Sequence, residues 1–278
     1  MVHEIDWLDA CRRMAARQSD LFAATRGIAA RSHYEGRGEG GDMTLQLDRQ
    51  CEDIIFEELE RIAATGVSLA AVSEERGEVV LGAGEPAHQV IIDPIDGSMN
   101  VRRTIPSHSL SVAVADGGSM ADVSFGFVHD FGAGEELTAI RGEGARLNGC
   151  RIEPDEPAPL EVVGLESADP RWVVGAAEAL QGKAYRIRVI GSIAITLGYV
   201  ACGRFDAMLS ARPCRSVDAA AAQLIAREAG AEVEFVGWEL AAAGLDLEAR
   251  YPVIAARTAE QLEVVREAHE ASTARQAG

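Results

Sequence analysis

Apolar positions between residues 3 and 30 recur at helical spacing, at Ile5, Leu8, Met14, Leu21 and Phe22, with alanines between them. That period predicts one long amphipathic helix. The glycine-rich polar stretch RSHYEGRGEGGDMT follows it and reads as a loop. A second helix is predicted over 44–64. Short β-like runs, SLAAVS, HQVIID, SLSVAVA, VSFGFVH and ELTAIR, are joined by Gly, Asp and Ser turns, as in a largely antiparallel sheet. GARLNGCRI closes this half with a further turn and a short strand. Beyond the Pro/Glu-rich stretch 153–159, strand-like LEVVGLES, YRIRVIG and RFDAMLS alternate with helical patterns over 170–180, 192–202 and 217–229. AEVEFV, YPVIAA and a last helix from Thr258 complete the chain. Alternation of this kind predicts an α/β arrangement with room for a mixed sheet. The boundary is placed near 152, giving an N-terminal α+β subdomain (1–152) and a C-terminal α/β subdomain (153–278).

Composition narrows the class. A chain of 278 residues with 47% hydrophobic content can bury a substantial core. No apolar run approaches the roughly 20 residues of a membrane span, and MVHEIDWLDA does not read as a signal peptide. Five scattered cysteines without a C-x-x-C predict reduced thiols in a cytoplasm rather than disulfides or a zinc site. The balance of 26 basic against 44 acidic residues, a net charge of −18, argues against direct binding of nucleic acid or an anionic membrane. It also means that a phosphorylated substrate needs a local reversal of sign. Lys183 is the sole lysine, which leaves little room for Schiff-base or phosphate-loop lysine chemistry. The G-x-G-x-x-G at Gly36, Gly38 and Gly41 follows a helix instead of a strand, so it reads as loop rather than as a dinucleotide site.

The candidate chemistry is acidic. VIIDPIDGSMN sets Asp93 at the end of an apolar run and Asp96, Gly97 and Ser98 where a short helix begins. One reading is a strand-to-helix turn, with Asp or Ser as N-cap and Gly permitting a tight approach. The other is a pair of carboxylates converging on a hard cation such as Mg²⁺, with free amides nearby for a phosphate oxygen. Glu74 and Glu75 close another apolar strand, Asp218 stands at or near a helix start, and Asp42 and Thr44 stand at the start of the second helix. Each is individually a cap or a turn residue. Together they place acidic groups at element ends in four distant segments.

SEERG, DPIDGSMN and SVDAAAAQLIAREAGA resemble the three signatures of the inositol monophosphatase family, within the magnesium-dependent, lithium-sensitive phosphatases. The pattern is most similar to the archaeal and bacterial branch that includes dual inositol-phosphate and fructose-bisphosphate phosphatases. The resemblance implies a layered αβαβα sandwich and hydrolysis of a small phosphate monoester by metal-activated water. It implies two or three Mg²⁺ ions, held by Glu74, Asp93, the Ile95 carbonyl, Asp96 and Asp218. Most of these ligands fall in the N-terminal half, with Asp218 coming from the C-terminal one. Gly97 and Ser98 would bind phosphate, the Ser98 hydroxyl would position the water, and Asp42 and Thr44 would support that hydroxyl. Ser192 matches a substrate-contacting segment. Arg212 and Arg215 are candidates for phosphate recognition or, alternatively, for neutralising the acidic cluster. A cytoplasmic homodimer is the expected assembly.

The substrate is left open among inositol monophosphate, fructose 1,6-bisphosphate, histidinol phosphate and a 3′-phosphonucleotide. Ala211 stands where animal enzymes carry an acidic inositol contact, and Val101-Arg102-Arg103-Thr104 follows Asn100 where the family commonly has an aromatic and then an aliphatic residue. The two arginines either reach a second anionic group, which mildly favours a more anionic substrate, or are solvated side chains on an acidic protein. Two competing readings are a non-catalytic scaffold or regulator in a transcription complex and a purely structural cation site. His108 and His129, in strand-like runs, are assigned to structure, and Trp7, Trp172 and Trp238 to core or interface.

Overall fold

The structure is a computed structural model that describes residues 5–37, 43–154, 159–167 and 169–277. The first half runs α1 (Trp7–Ala24), β1 (Tyr34–Arg37), β2 (Met43–Leu45), α2 (Gln46–Ala63), β3 (Leu69–Ser73) and β4 (Gly77–Leu81). It continues through β5 (His88–Asp96), α3 (Ser98–Arg102), β6 (Ser109–Ala115), β7 (Val123–Asp130), β8 (Glu135–Ile140), β9 (Gly144–Leu147) and β10 (Cys150–Arg151). The second half holds β11 (Val162–Glu166), α4 (Pro170–Ala179), β12 (Arg186–Arg188), α5 (Ile193–Ala201), β13 (Ala207–Ser210) and β14 (Cys214–Arg215). It ends with α6 (Ser216–Glu228), β15 (Glu232–Phe235), β16 (Arg250–Tyr251), β17 (Val253–Ala256) and α7 (Ala259–Ala277).

Two large sheets carry the architecture. The eight-stranded sheet, ordered β10-β9-β8-β7-β6-β5-β3-β4, is antiparallel except where β3 and β5 run parallel. The five-stranded sheet, β12-β11-β13-β17-β15, is mixed. Period-two alternation assigns each strand's side chains to a layer. Val90, Ile92, Val112, Val114 and Phe127 pack under α1 and α2, whereas Ile91, Ala113 and Val128 face the opposite way, into the core that includes α5 and α6. The second sheet divides likewise: Met208, Val253 and Ala255 join that central core, while Leu209, Ile254 and Ala256 pack beneath α4 and α7. The result is the αβαβα stack. Each large buried side chain such as Phe127 or Ile92 contributes about 2 kcal/mol over its exposed state.

The central helices lie between two sheets, so they have almost no solvent face. In α5 every residue except Tyr199 is buried, and in α6 burial runs unbroken from Ser216 to Ala226. Small residues make that possible. A Cβ at Gly126 on β7 would stand 2.7 Å from the Ala221 carbonyl of α6, and one at Gly198 would stand 2.5 Å from Leu137 on β8.

The predicted elements are present with corrected ends. The first helix stops at Ala24, short of residue 30, and Gly27 beyond it has a φ of 84°. Residues read as loop form a hairpin of β1 with β2, which places Gly36 on a strand; Gly38 and Gly41 lie outside the described residues. The pairings of β3 with β4 and of β14 with β16 are additions.

Candidate active site

The strand β5 is apolar through Val90, Ile91 and Ile92 and then carries Asp93, Pro94, Ile95 and Asp96. Asp93 pairs with Ser111 of β6 and Asp96 with Ser109, so β5 uses three steps where β6 uses two. Strand residues three apart normally face opposite ways. The extra residue is a bulge that re-phases β5, setting both aspartates on the side of Ser109 and Ser111. Pro94 suits the bulge because it has no N–H to give to the ladder. The amide of Ile95 donates to Asp93 Oδ1 at 3.0 Å and holds the bend.

Gly97 then caps α3 with a φ of 102°. The expected caps, Asp96 and Ser98, are otherwise engaged. Asp96 Oδ2 accepts from Ser192 Oγ at 2.6 Å and from the Ala194 amide at 2.6 Å, which ties β5 to the start of α5. Ser98 Oγ donates to the Ile95 carbonyl at 3.0 Å. Asn100 Nδ2 reaches the carbonyls of Ser107 (2.7 Å) and Ile190 (2.8 Å). From the other side Glu166 accepts from the amides of Ile190 (3.0 Å) and Gly191 (2.9 Å) and from Thr196 Oγ1 (2.7 Å). The turn ahead of Ser192 is therefore fixed from both halves.

Glu74 follows β3 in a turn that α2 fixes: Ser73 Oγ and the Arg76 amide both donate to Glu52 of α2, the latter at 3.1 Å. Asp218 sits in the first turn of α6, where its Oδ2 accepts the Arg215 amide at 2.9 Å. It is thus an N3 carboxylate reaching back, and the cap position belongs to Arg215. The Arg215 guanidinium donates Nη1 to Glu74 and Nε to Asp218 Oδ1 at 3.2 Å. These groups surround a cleft of about 290 Å³, with Asp48, Asp93, Asp96 and Ser98 in its wall and Arg102 and Arg215 as its basic members.

The cleft is electrostatically loaded. Burial, then the charge of Asp218, pushes Asp96 up to about 7. Burial pushes Glu74 up to about 8, with Arg215 pulling it down and Asp218 raising it. Asp93 rises well above the usual carboxylate range through burial and then through Glu74 and Asp96. Asp48 reaches about 7, chiefly by burial. Desolvation works against the Arg215 charge, yet Asp218, Glu74 and Asp93 outweigh it and raise its pKa. Carboxylates so placed favour protons or cations. The donor set is all oxygen: Glu74, Asp93, Asp96, Asp218 and the Ile95 carbonyl. That chemistry suits a hard divalent cation. Among the described residues no three acidic, His or Cys groups are already gathered as ligands of one ion. Arg215 stands between Glu74 and Asp218, two of the expected ligands.

Of the predicted site residues, Glu74, Asp93, Ile95, Asp96, Gly97, Ser98, Arg215 and Asp218 all line the one cleft. Ser192 is buried behind it, with its hydroxyl committed to Asp96. Arg212 stands apart from these: its guanidinium lies over the Trp172 ring, 5.8 Å from the centroid, and it is not among the residues lining the cleft. Asp42 lies outside the described residues, and Thr44 falls on β2, ahead of α2. The start of α2 instead supplies Asp48, whose Oδ2 accepts the Leu45 amide at 3.2 Å. Its Oδ1 is buried without a hydrogen-bond partner, and the neighbouring Ser98 hydroxyl favours its ionised form. The signal for Asp48 was an acid at the third position of an amphipathic helix. His108 and His129 pack with Phe131 as structural groups, and Trp238, at 51% exposed, is not core.

A bulged strand and a layered sandwich bring four carboxylates to one cleft, and it is the comparisons that give the class, a phosphoric monoester hydrolase. A sequence model of the inositol monophosphatase family matches residues 10–273, and the chain belongs to that family. The fructose-1,6-bisphosphatase/inositol-1-monophosphatase of Thermococcus kodakarensis is 33% identical over 228 residues, covering 82% of this chain and 83% of that one. The inositol-1-monophosphatase of Rhizobium meliloti is 33% identical over 210 residues, 73% of each chain. A crystal structure of an inositol monophosphatase–fructose 1,6-bisphosphatase superposes with a TM-score of 0.82 at 27% identity, over 95% of this chain and 100% of that one.

Proposed function

We propose that this protein hydrolyses a small, multiply charged phosphate monoester with the help of two or three Mg²⁺ ions. The convergence of Glu74, Asp93, Asp96 and Asp218, from three separated segments, on one cleft carries the reading. Those side chains and the Ile95 carbonyl would hold the ions. When bound, the ions supply Lewis acidity to the attacking and leaving oxygens of an in-line displacement and offset the local negative charge.

The chain's own groups do the rest. Gly97 and Ser98, at the floor of the cleft, present their amides to the phosphate. The unpartnered Oδ1 of Asp48 accepts a proton from the attacking water, and Ser98 orients that water. This assigns to Asp48 the support first expected of Asp42 and Thr44. Arg102, in the cleft wall beside Met99, meets a second anionic group on the substrate. Relatives named for fructose 1,6-bisphosphate, one of them also for inositol 1-phosphate, are consistent with such a substrate.

Rates of phosphate release from fructose 1,6-bisphosphate, inositol 1-phosphate, histidinol phosphate and 3′-phosphoadenosine 5′-phosphate test the substrate class. The bisphosphate should lead, and Arg102→Ala should raise its KM more than that of the monophosphates. Equal effects on all four would remove Arg102 from substrate recognition. A cytoplasmic homodimer belongs to the same proposal, supported by family resemblance. Light scattering at twice the 29.5 kDa chain mass would bear it out, and a monomer would refute it. Among the described residues no helix is long and apolar enough to cross a membrane.

A further inference from the structure

Arg215 is placed as a cation would be. Its guanidinium joins Glu74, on the turn after β3 and 141 positions away in sequence, to Asp218, on α6. Both carboxylates are among the expected ion ligands. A guanidinium is planar, always charged and able to serve two carboxylates at once, so it neutralises the pair without titrating. It can leave only by moving. The backbone around it is fixed, with its amide held by Asp218 Oδ2 at 2.9 Å and its strand paired to Arg250 on β16. The side chain is 18% exposed and faces the cleft, so it alone has somewhere to go.

We propose that Arg215 is a built-in counter-ion that competes with a divalent cation for Glu74 and Asp218. It stabilises the metal-free fold and lowers the affinity of the cleft for metal, because an ion on these carboxylates displaces the guanidinium into the cleft. The inference deepens the reading given under Proposed function and rests on it. By linkage, whatever free energy ties Arg215 to the pair is withdrawn from the ion.

The test is calorimetric titration of Mg²⁺ into chelator-stripped wild type, Arg215→Gln and Arg215→Lys at pH 7.5, with melting curves of each protein in chelator and in saturating Mg²⁺. Arg215→Gln should bind Mg²⁺ at least about fivefold more tightly than wild type. It should melt lower in chelator, with the gap closing when Mg²⁺ saturates. Arg215→Lys, which keeps the charge but cannot bridge both carboxylates, should fall between, and it decides the matter by the same comparison if the glutamine variant does not fold. An affinity equal to or weaker than wild type, with wild-type binding intact, would overturn this inference alone. No Mg²⁺ binding by wild type would overturn it together with the metal reading of the cleft.

Discussion

Asp48 Oδ1 is the one fully buried carboxylate oxygen among the described residues without a hydrogen-bond partner, and it belongs to a residue in the cleft wall. An unpaired buried acceptor is unfavourable unless something visits it, which is why we assign it the attacking water. Asp48→Asn keeps the shape and removes the base. It should lower kcat by about 100-fold and leave KM near wild type; a kcat within about threefold of wild type would remove Asp48 from the chemistry. This residue was the main omission of the sequence reading. Asp42 and Thr44 read as the acid and hydroxyl at a helix start; α2 begins at Gln46, and Asp48, the acid proposed here as the base, follows that start. The same displacement affected Asp218. A rule that looks for acids before a helix misses a carboxylate that reaches back from the third position to a backbone amide, as both Asp48 and Asp218 do. Arg212 and Arg215 could not be separated from sequence either, since three residues decide whether a guanidinium meets Trp172 or Glu74.

At the scale of the element, the turn from β5 into α3 governs the site. HQVIID was legible as a strand because it is a short, β-branched apolar run that stops at Asp93. The three further residues were not, because the bulge at Pro94 breaks the period that identifies strands. Gly97 is the point where the element tolerates least change. Its φ of 102° disfavours any side chain, and a Cβ there would meet the Ser107 carbonyl at 3.0 Å and the Gly191 carbonyl at 3.2 Å. Gly97→Ala should destabilise the fold by about 1–3 kcal/mol. It should also lower activity, because the Asn100 bonds to Ser107 and Ile190 would shift with it. Urea denaturation gives the first quantity, and an unchanged midpoint would show that the turn relaxes without strain. The β4 strand and the β1–β2 hairpin were missed for a different reason. Both are short and flanked by glycines, so local pattern reads them as loop until a neighbouring strand supplies the hydrogen bonds.

At the scale of the whole molecule, the elements were legible from short apolar strand runs and helical periodicity, whereas the layers came only with the family resemblance; the sandwich order emerges when three cores are separated. The same stacking buries the acidic cleft, and that has a pH signature. Asp48, Asp96 and Glu166 titrate at about 7 and Glu74 at about 8 in the folded chain, all above their unfolded values. Raised carboxylates mean that the native state holds more protons than the unfolded one, so their contribution is full below about pH 4 and is lost as pH rises through 7 to 8. Carboxylates shifted down, such as Glu58 and Glu135, have already ionised by pH 5.5. The buried His108, His129 and His269, lowered by desolvation, oppose the trend only as pH rises through their unfolded value near 6.5, and the four carboxylates outweigh them. In chelator the protein should therefore lose at least about 2 kcal/mol between pH 5.5 and 8, and Mg²⁺ should restore most of it at pH 8. A flat stability profile in chelator would mean that the carboxylates are compensated within the fold. The most direct test of the central claim is phosphate release from fructose 1,6-bisphosphate and inositol 1-phosphate, measured with Mg²⁺ and with chelator, beside the Asp93→Asn protein. The account predicts turnover that requires Mg²⁺, disappears in chelator and is absent from Asp93→Asn, although that variant folds. Turnover that survives chelation or the Asp93 substitution would contradict it.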